Sequence, residues 1–402
     1  MNQLQQELAS GAVVAGGQLS RRQYNADWLP RAPPLHTLQS HRAPITSLSL
    51  HPIHSLLATA SEDTTLKIWD YETGEFERTL KGHTKSVHCV QWDPRREQGD
   101  GVGYLVSCSS DLTIKVWDPQ NEYTCIKTLH GHDHAVSSIC FLPGNGPVRI
   151  ASASRDRTIR IWELNTGYCV RTLFGHAEWV RSVQPSQDGR FLVTGSNDQT
   201  VRVWNLDMVL QPGASGMSGG GGGDGVVELR GHDHVVECAM FIPVEFYPAI
   251  RELTGLKTGQ PASILSPEPG AKPTQATSPP ASNKKQPDQP GEYVLSGSRD
   301  KTLRLFHVPT NRLLHTFHGH DNWVRSIAFH TNNKYILSAS DDKTVKIWDL
   351  ATGRCVKTLE VHSHFCTSVA VERRHSGANA SAKMPVMITG GVDHVVKIWE
   401  CR

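Results

Sequence analysis

Serine or threonine, histidine and aspartate, the residue types of a hydrolytic triad, recur together along this chain. In each set an Asp lies six residues before an aromatic residue, a Ser or Thr lies four residues before that Asp, and a His lies further upstream. Catalysis needs one nucleophile placed against one base, whereas this set occurs seven times. The repetition favours a packing role, and we predict that the chain has no catalytic residue and is not an enzyme.

Each set has four members, which we call a tetrad. The histidines are His41, His83, His132, His176, His232, His320 and His362. The hydroxyl residues are Thr59, Ser107, Ser152, Thr194, Ser296, Ser338 and Thr389. The aspartates are Asp63, Asp111, Asp156, Asp198, Asp300, Asp342 and Asp393. The aromatic residues are Trp69, Trp117, Trp162, Trp204, Phe306, Trp348 and Trp399. A His between a carboxylate and a hydroxyl, with an indole N–H donating to the same hydroxyl, satisfies every member. We therefore expect Phe306 to leave the fifth tetrad one hydrogen bond short.

The elements that position these residues are best seen between His318 and Asp349. A Gly-His pair is followed by an alternating apolar run, a turn, a second apolar run, the Asp, and a third run that ends in Trp-Asp. A unit of about 40–45 residues with this layout is typical of a WD-repeat β-propeller. The sequence thus predicts an all-β fold, a seven-bladed WD-repeat propeller over residues 35–402. Leu35–Gln39 matches the outer-strand ends of other repeats, so this N-terminal strand should complete the seventh blade and close the ring.

Two segments are expected to lie outside the blades. Residues 1–34 read as linker or as the remnant of a coiled coil, since Leu4 and Leu8 share a helical face and Gly and Pro follow them. Residues 244–291 are an insertion in the fifth blade, rich in Pro, Ser, Lys and Gln from Gly259 onward. We predict that this insertion is disordered.

Composition excludes several classes of function. The chain has 402 residues and a net charge of +2, which implies no general attraction to nucleic acid or to an anionic membrane. Its nine cysteines are scattered, without Cys-x-x-Cys pairs or zinc-ligand spacing, and indicate reduced thiols in the cytoplasm. No run approaches the ~18 apolar residues of a membrane span. We predict no metal, no cofactor, no nucleic acid and no membrane insertion.

The candidate binding residues come from positions beside each tetrad Asp and shortly after each tetrad His, which crowd one rim of a propeller. In blades one and two these positions hold no Lys or Arg. In blades three to six they hold seven cations and two tryptophans, which we call the basic arc: Arg155, Arg157, Trp179, Arg181, Arg299, Lys301, Trp323, Arg325 and Lys343. Arg and Trp are enriched at interface hot spots, so the arc predicts an acidic protein surface as partner.

Two other interpretations of the arc stay open. Its cations are alternatively solvated charges or members of local salt bridges, and Glu237 and Asp341 lie among them. A groove for single-stranded nucleic acid also combines aromatic and basic residues. The small net charge and the presence of only two tryptophans disfavour it.

Residues 27–402 resemble the lissencephaly / nuclear distribution protein F family, and their sequence is most similar to the fungal members. The segments that carry the resemblance include WLPRAPP, SASRDRTIRIWELNTGYCVRTL, GHDNWVRS and VVKIWECR. The resemblance covers all seven blades and the insertion in the fifth, which is more specific than a general WD pattern.

The resemblance implies a non-catalytic regulator that binds the motor domain of the cytoplasmic dynein heavy chain through one propeller face. It further implies a NudE-type adaptor as partner, roles in nuclear migration and spindle positioning, and a location at microtubule plus ends and the spindle pole in the cytoplasm. The family's dynein-contacting positions match here at Arg155, Arg181, Arg299, Trp323 and Lys343. The remaining arc residues, Arg157, Trp179, Lys301 and Arg325, are further candidates on the same face.

The chain departs from the family at its start. Members begin with a LisH dimerisation motif and a coiled coil, of which only MNQLQQELAS resembles the last turns. Either this sequence is part of a longer chain that self-associates, or the protein is a monomer without the avidity of two linked propellers. The alternative functions are a general WD-repeat scaffold, such as the substrate receptor of a ubiquitin ligase, and a non-catalytic subunit of an acetylhydrolase.

Overall fold

The structure is a computed structural model, and it describes residues 29–95, 103–144, 146–210, 225–255, 288–372 and 385–401. These residues form seven four-stranded antiparallel sheets. The inner strands of successive sheets contact one another around a closed ring, from the first blade to the seventh and back to the first. The predicted seven-bladed propeller is confirmed.

The strands follow the chain outward through each blade. Blade one has β2 (Ile45–Leu50), β3 (Leu56–Ser61), β4 (Leu66–Asp70) and β5 (Phe76–Leu80), and blade two has β6 (Val87–Trp92), β7 (Leu105–Ser109), β8 (Ile114–Asp118) and β9 (Thr124–Leu129). Blade three has β10 (Val136–Leu142), β11 (Arg149–Ser154), β12 (Ile159–Glu163) and β13 (Cys169–Leu173), and blade four has β14 (Val180–Pro185), β15 (Phe191–Ser196), β16 (Val201–Asn205) and β17 (Val226–Leu229). Blade five has β18 (Val236–Phe241), β19 (Tyr293–Ser298), β20 (Leu303–His307) and β21 (Arg312–Phe317), and blade six has β22 (Val324–Phe329), β23 (Tyr335–Ser340), β24 (Thr344–Asp349) and β25 (Arg354–Glu360). Blade seven has β26 (Cys366–Val371), β27 (Val386–Gly391), β28 (Val395–Glu400) and β1 (His36–Gln39).

The core lies between blades, because each sheet presents one face to each neighbour. In β24, Val345 and Ile347 are buried and Lys346 between them is partly exposed, as the two-residue period of a strand requires. The second strands are buried along their whole length in most blades, since both of their faces are covered. Burying one such Leu, Ile or Val contributes about 1.5–3 kcal/mol.

The N-terminal strand closes the ring as predicted. β1 pairs with β28 from His36 opposite Ile398 to Gln39 opposite Val395. Leu38 on β1 is buried in a cluster with residues of blades seven and one. The hydroxyl of Thr367 in blade seven donates to the carbonyl of Ile45 in blade one at 2.6 Å.

Residues 29–34, predicted as part of a linker, lie against blade seven. The backbone N–H of Arg31 donates to the carbonyl of Glu400 at 3.3 Å, and Pro30 forms an isolated bridge with Cys401. Lys357 of blade six donates to the Pro30 carbonyl at 2.7 Å. The predicted coiled-coil remnant lies outside the described residues.

The insertion in blade five is not disordered from its start. Blade four contains a short helix, α1 (Leu206–Val209). In the insertion of blade five, Val244–Phe246 forms a 3-10 turn, and helix α2 (Tyr247–Thr254) follows it directly. Phe246, Tyr247 and Ile250 are buried against the wall between blades five and six, where the ring of Phe246 lies 5.1 Å from that of Phe329. The prediction of disorder is wrong for residues 244–255, because it weighed the polar composition of the later residues above these apolar ones. The rest of the insertion, 256–287, lies outside the described residues.

The structure brings the four members of each tetrad together. In every blade the His Nδ1 lies within 3.1 Å of an Asp carboxylate oxygen and the Nε2 lies within 3.0 Å of the Ser or Thr hydroxyl. In six blades the indole N–H of the Trp donates to that hydroxyl at 2.8–3.2 Å. The residue types of a triad therefore form a packing network in this fold, and the tetrad His and the Ser or Thr are buried in every blade.

Blades five and seven have incomplete networks. Phe306 fills the place of the Trp in blade five and leaves Ser296 without an indole donor. In blades one to six the backbone N–H of the tetrad Asp donates to the hydroxyl of a serine two residues earlier, and its Oδ1 accepts from a threonine hydroxyl two residues later. In blade six these residues are Ser340 and Thr344, on either side of Asp342. Blade seven has Gly391 and Val395 at these positions.

The Asp turns use a left-handed backbone at the same point in all blades. The residue after each tetrad Asp has a φ of 65–71°, and none of the seven is glycine. Six of the seven side chains are longer than threonine and not β-branched at Cβ; Thr64 is the exception. A β-branched residue with positive φ is strained, at a cost of order 1–3 kcal/mol.

We expect Thr64→Asn to raise the free energy of unfolding by about 1 kcal/mol, because asparagine tolerates the left-handed region. The measurement is chemical denaturation of the two proteins. Thr65→Asn is the matched control, and it should lower stability, because the Thr65 hydroxyl donates to Asp63 at 2.6 Å. Equal effects at the two positions would contradict the strain argument.

We expect the propeller to lose stability in acid through its tetrads. Burial alone would raise the pKa of Asp393, but hydrogen bonds from His362 and the backbone lower that pKa to about 2. A lowered pKa contributes stability that is complete above the ordinary value near 4 and is lost as the pH falls to about 2. Asp393→Asn should therefore reduce the fall in unfolding free energy between pH 4 and pH 2 by roughly 2 kcal/mol. Denaturant titrations at each pH measure the unfolding free energy. Asp321→Asn, at an exposed position, is the control, and its unfolding free energy should fall with pH as it does in the parent protein.

Candidate functional site

A backbone hydrogen bond joins two of the rim positions within every blade. The N–H of the residue before the tetrad Asp donates to the carbonyl of the residue three past the tetrad His, at 2.9–3.0 Å in all seven blades. In blade four this bond joins Asn197 to Trp179, and in blade six it joins Asp341 to Trp323. The tetrad and this bond together fix the backbone positions from which the two side chains extend.

A β-bulge positions the third rim residue. The pairing of the inner strand with the second strand shifts register at one residue in every blade, five past the tetrad His. A bulge frees a residue from the ladder and turns its side chain. The bulged residues are Thr46, His88, Ser137, Arg181, Glu237, Arg325 and Thr367.

The structure brings Arg155, Trp179 and Arg181 together across the boundary between blades three and four. The guanidinium carbons of Arg155 and Arg181 lie 5.0 and 5.4 Å from the centroid of the Trp179 ring, which is cation–π distance. Arg181 Nε donates to the side-chain oxygen of Asn197 at 2.7 Å. We call these four residues stack A.

Stack B repeats this arrangement between blades five and six. The guanidinium carbons of Arg299 and Arg325 lie 4.2 and 5.0 Å from the centroid of the Trp323 ring. Arg325 donates through Nε and Nη2 to the two carboxylate oxygens of Asp341 at 2.9 and 2.8 Å. Stack B consists of these four residues, and Asp341 takes the place that Asn197 has in stack A.

Glu237 is an additional partner of stack B. Its carboxylate accepts from Arg299 Nε and lies 3.5 Å from Arg325 Nη1. Burial opposes the charge of Arg325, but its bonds to Asp341 and the nearby Glu237 raise its pKa. The arginines of stack B are thus held by carboxylates of the chain itself.

Neither arginine of stack A forms an ion pair of this kind among the described residues. Burial lowers the pKa of Arg155 and of Arg181; the charge of Glu237 raises each pKa, and the positive charge of Arg299 lowers it. The bulged His88 lies close to both. Burial, followed by the charges of Arg155 and Arg181, lowers the pKa of His88 to about 4. This part of the rim therefore holds excess positive charge.

The other arc residues are exposed and carry the left-handed turns. Arg157, Lys301 and Lys343 each follow a tetrad Asp with a φ of 70–71°. A guanidinium nitrogen of Arg157 donates to the Ala177 carbonyl at 3.4 Å. All nine arc residues thus lie at the rim formed by the Asp turns and the loops before the inner strands.

Sequence reasoning missed several features of this site. It left local salt bridges open only as an alternative, whereas the structure pairs Glu237 with Arg299 and Asp341 with Arg325. It did not single out Ser137 or Asn197. Comparison of the arc positions blade by blade would have exposed the near repetition of blades three and four in blades five and six.

Within the described part of the chain, no group of three or more His, Cys, Asp or Glu side chains is arranged to hold a metal ion. None of the helices described has the length and apolarity that a membrane crossing requires.

Comparison with known proteins defines the class of this chain. The family model for the WD domain, G-beta repeat, matches residues 32–70, 74–118, 123–163, 167–205, 311–349 and 353–400. The unmatched stretch between residues 205 and 311 contains Phe306 and the insertion of blade five. The chain belongs to the WD-repeat family.

Several of its relatives within that family are nuclear distribution proteins. It is 46% identical over 338 residues to a nuclear distribution protein PAC1 of Coccidioides posadasii, covering 82% of this chain and 62% of that protein. It is 42% identical over 342 residues to the nuclear distribution protein PAC1 of Arthroderma otae, covering 83% of this chain and 64% of that protein. It is 42% identical over 308 residues to the nuclear distribution protein nudF of Aspergillus niger, covering 77% of this chain and 59% of that protein. The chain thus fits the nudF-type WD-repeat family and spans about three fifths of the length of these relatives.

We expect Asp341→Asn to lower the free energy of unfolding by about 2 kcal/mol, because it removes the bidentate charge partner of Arg325 and leaves only Glu237 at 3.5 Å. Asp341 is 3% exposed, and the exposure of Arg325 moderates the expected loss. Asn197→Asp is the reverse change at the equivalent position, and it should leave stability unchanged or raise it. Denaturant unfolding compares the two, and a similar loss in both would show that the carboxylate is unimportant.

Proposed function

We propose that this chain regulates cytoplasmic dynein without catalysing a reaction, by binding the motor domain through the rim that carries the basic arc. The observation that supports the proposal is the pair of arginine–tryptophan stacks. They place four arginines and two tryptophans on one rim of a protein whose net charge is only +2. The names of its relatives point to nuclear distribution, which fits a role in this motor's pathway.

The contact residues proposed are Arg155, Arg181, Arg299, Trp323 and Lys343, with Arg157, Trp179, Lys301 and Arg325 beside them. The tryptophans offer apolar contact area, and all four arginines stack on them. Hydrogen bonds further hold Arg181, Arg299 and Arg325. Ordered side chains lose less conformational entropy on binding, which favours affinity. Exposed Lys301, Lys343 and Arg157 would steer an acidic surface toward the rim.

The wider role follows from the same proposal. We infer a function in nuclear migration and spindle positioning, with a NudE-type adaptor as second partner and with microtubule plus ends and the spindle pole as places of action in the cytoplasm. Self-association depends on an N-terminal region of the kind found in the lissencephaly-type family. Two propellers on one dimer would gain avidity for the motor.

We expect Trp323→Ala combined with Lys343→Ala to weaken binding to a purified dynein motor domain at least thirtyfold, because a central Trp is worth about 2 kcal/mol or more at an interface. The readout is the dissociation constant at fixed ionic strength, with the melting temperature as a check on folding. The matched control is Phe365→Ala with His394→Ala, which changes the same two positions in blade seven.

The control should change the dissociation constant by about twofold or less. Equal losses in both double variants would place the contact elsewhere on the ring. If the parent protein captures an acetylhydrolase or a ubiquitin-ligase subunit in place of the motor, the alternative functions gain the support that this proposal loses.

A further inference from the structure

One pair of positions brings two side chains face to face across the inner and second strands of every blade. The inner-strand residue lies six past the tetrad His, and its cross-strand partner lies three before the tetrad Asp. In six blades the partner is Gly or Ala. The pairs are Ser47 with Ala60, Cys89 with Cys108, Ser138 with Ala153, Ser182 with Gly195, Cys238 with Gly297, Ser326 with Ala339 and Ser368 with Gly390. Blade two is thus the one blade with a thiol at both positions.

The glycines at these positions show how closely the two side chains approach. A methyl group added at Gly297 would lie 2.8 Å from Cys238 Sγ, and one added at Gly195 would lie 2.9 Å from the Ser182 hydroxyl oxygen. The second-strand side chain therefore points at the inner-strand side chain. Antiparallel partners have Cα atoms about 4.5–5.5 Å apart, which falls within the range of about 4.4–6.8 Å that a disulfide bridges.

Cys89 lies where the inner strands of three blades meet. The hydroxyl of Ser47 in blade one donates to Cys89 Sγ at 3.8 Å, and that sulfur lies 3.8 Å from the carbonyl oxygen of Ile139 in blade three. Cys89 is partly exposed, whereas Cys108 is fully buried beside it. A small reagent can therefore reach the first thiol of the pair, and the fold holds the second thiol next to it.

The two thiols differ in how readily they lose a proton. A hydrogen bond from Cys108 lowers the pKa of Cys89 to about 7, against the opposing effect of burial. Burial and the bond to Cys89 raise the pKa of Cys108. Cys238 has the same register position in blade five but faces a glycine, and burial, followed by the charge of Glu237, raises its pKa to about 12. The neighbouring thiol thus gives Cys89 its thiolate character, and the thiolate is the reactive form of cysteine.

We propose that Cys89 and Cys108 are a reversible oxidation site, at which hydrogen peroxide converts the two thiols into a disulfide through attack by Cys89 and resolution by Cys108. A reactive, accessible cysteine beside a second thiol is the arrangement that redox-sensing sites use. The inference is independent of the proposed function, because it concerns the interior of blade two and needs no protein partner.

The reaction has two steps. The Cys89 thiolate attacks one oxygen of the peroxide, so that an S–O bond forms, the O–O bond breaks and hydroxide leaves. The Cys108 sulfur then attacks the sulfur of this sulfenic acid, so that the S–S bond forms and the S–O bond breaks to release a second hydroxide. The two thiol protons convert both hydroxides into water, and the peroxide gains the two electrons that the thiols lose. A dithiol reductant reverses the change by thiol–disulfide exchange.

The test maps the bond in the folded, full chain. The reduced protein is exposed to hydrogen peroxide near neutral pH, its remaining thiols are blocked in denaturant, and it is digested with trypsin without reductant. Cleavage after Arg95 and Arg96 separates the peptide of Cys89 from that of Cys108. The variants are Cys89→Ser, which copies the residue of five other blades, and Cys108→Ser, which keeps a donor for Cys89 and removes the resolving sulfur. Cys238→Ser is the matched control at the same register position.

We expect the two peptides in one linked species, lighter than their sum by two hydrogen atoms and separated by dithiothreitol. Cys89→Ser and Cys108→Ser should each abolish that species with the melting temperature maintained, and Cys238→Ser should leave it at the level of the parent. In Cys108→Ser the reaction should stop at the sulfenic acid of Cys89, which dimedone labels. In Cys89→Ser, labelling of Cys108 should be at least roughly tenfold weaker, because its thiol is buried and protonated.

Three results would overturn the inference. The first is a folded parent protein that gives no linked peptide under peroxide. The second is a bond from Cys89 to the buried Cys140 of blade three in place of Cys108. The third is dimedone labelling of Cys108 in Cys89→Ser that equals the labelling of Cys89 in Cys108→Ser, since neither thiol would then be the attacking one.

Discussion

The bond between histidine and aspartate in each tetrad is the interaction on which the rest of the structure depends. It ties the loop before the inner strand to the turn after the second strand, at 2.6–3.1 Å in every blade. The carboxylate also accepts the backbone N–H of the residue after the His. A single partly buried carboxylate thus fixes two chain segments, and the rim is built from the residues next to them.

This arrangement separates stability from recognition along the sequence. The tetrad, complete in six blades and with Phe306 for Trp in blade five, and the apolar residues between blades hold the ring together. The residues before and after the Asp, and those three and five past the His, are held by the same backbone bonds but differ from blade to blade. Blades three to six use these positions for arginine, lysine and tryptophan, whereas blade one has Glu62 and Thr64 there. Function on this fold therefore varies by substitution on a backbone that does not change.

Most of the fold could be predicted from the sequence, because each repeat states the same strands and the same tetrad. The closure by His36–Gln39 was also readable, since its sequence matches other outer strands. Helix α2 was not, because Phe246, Tyr247 and Ile250 carry a signal only when their packing partners, such as Phe329, are known. The positions of the arc residues were predictable from the register. The ion pairing of these residues was not predictable, because whether Arg325 is free or paired depends on the bulge at that residue and on the distance to Asp341.

The central proposal is that the rim carrying the basic arc binds the dynein motor domain. An experimental structure of this propeller bound to a dynein motor domain tests it most directly. The expected result is that the motor covers Trp179 and Trp323 and contacts the arginines stacked on them. A complex that leaves both tryptophans exposed, or that uses the opposite end of the blades, would contradict the proposal.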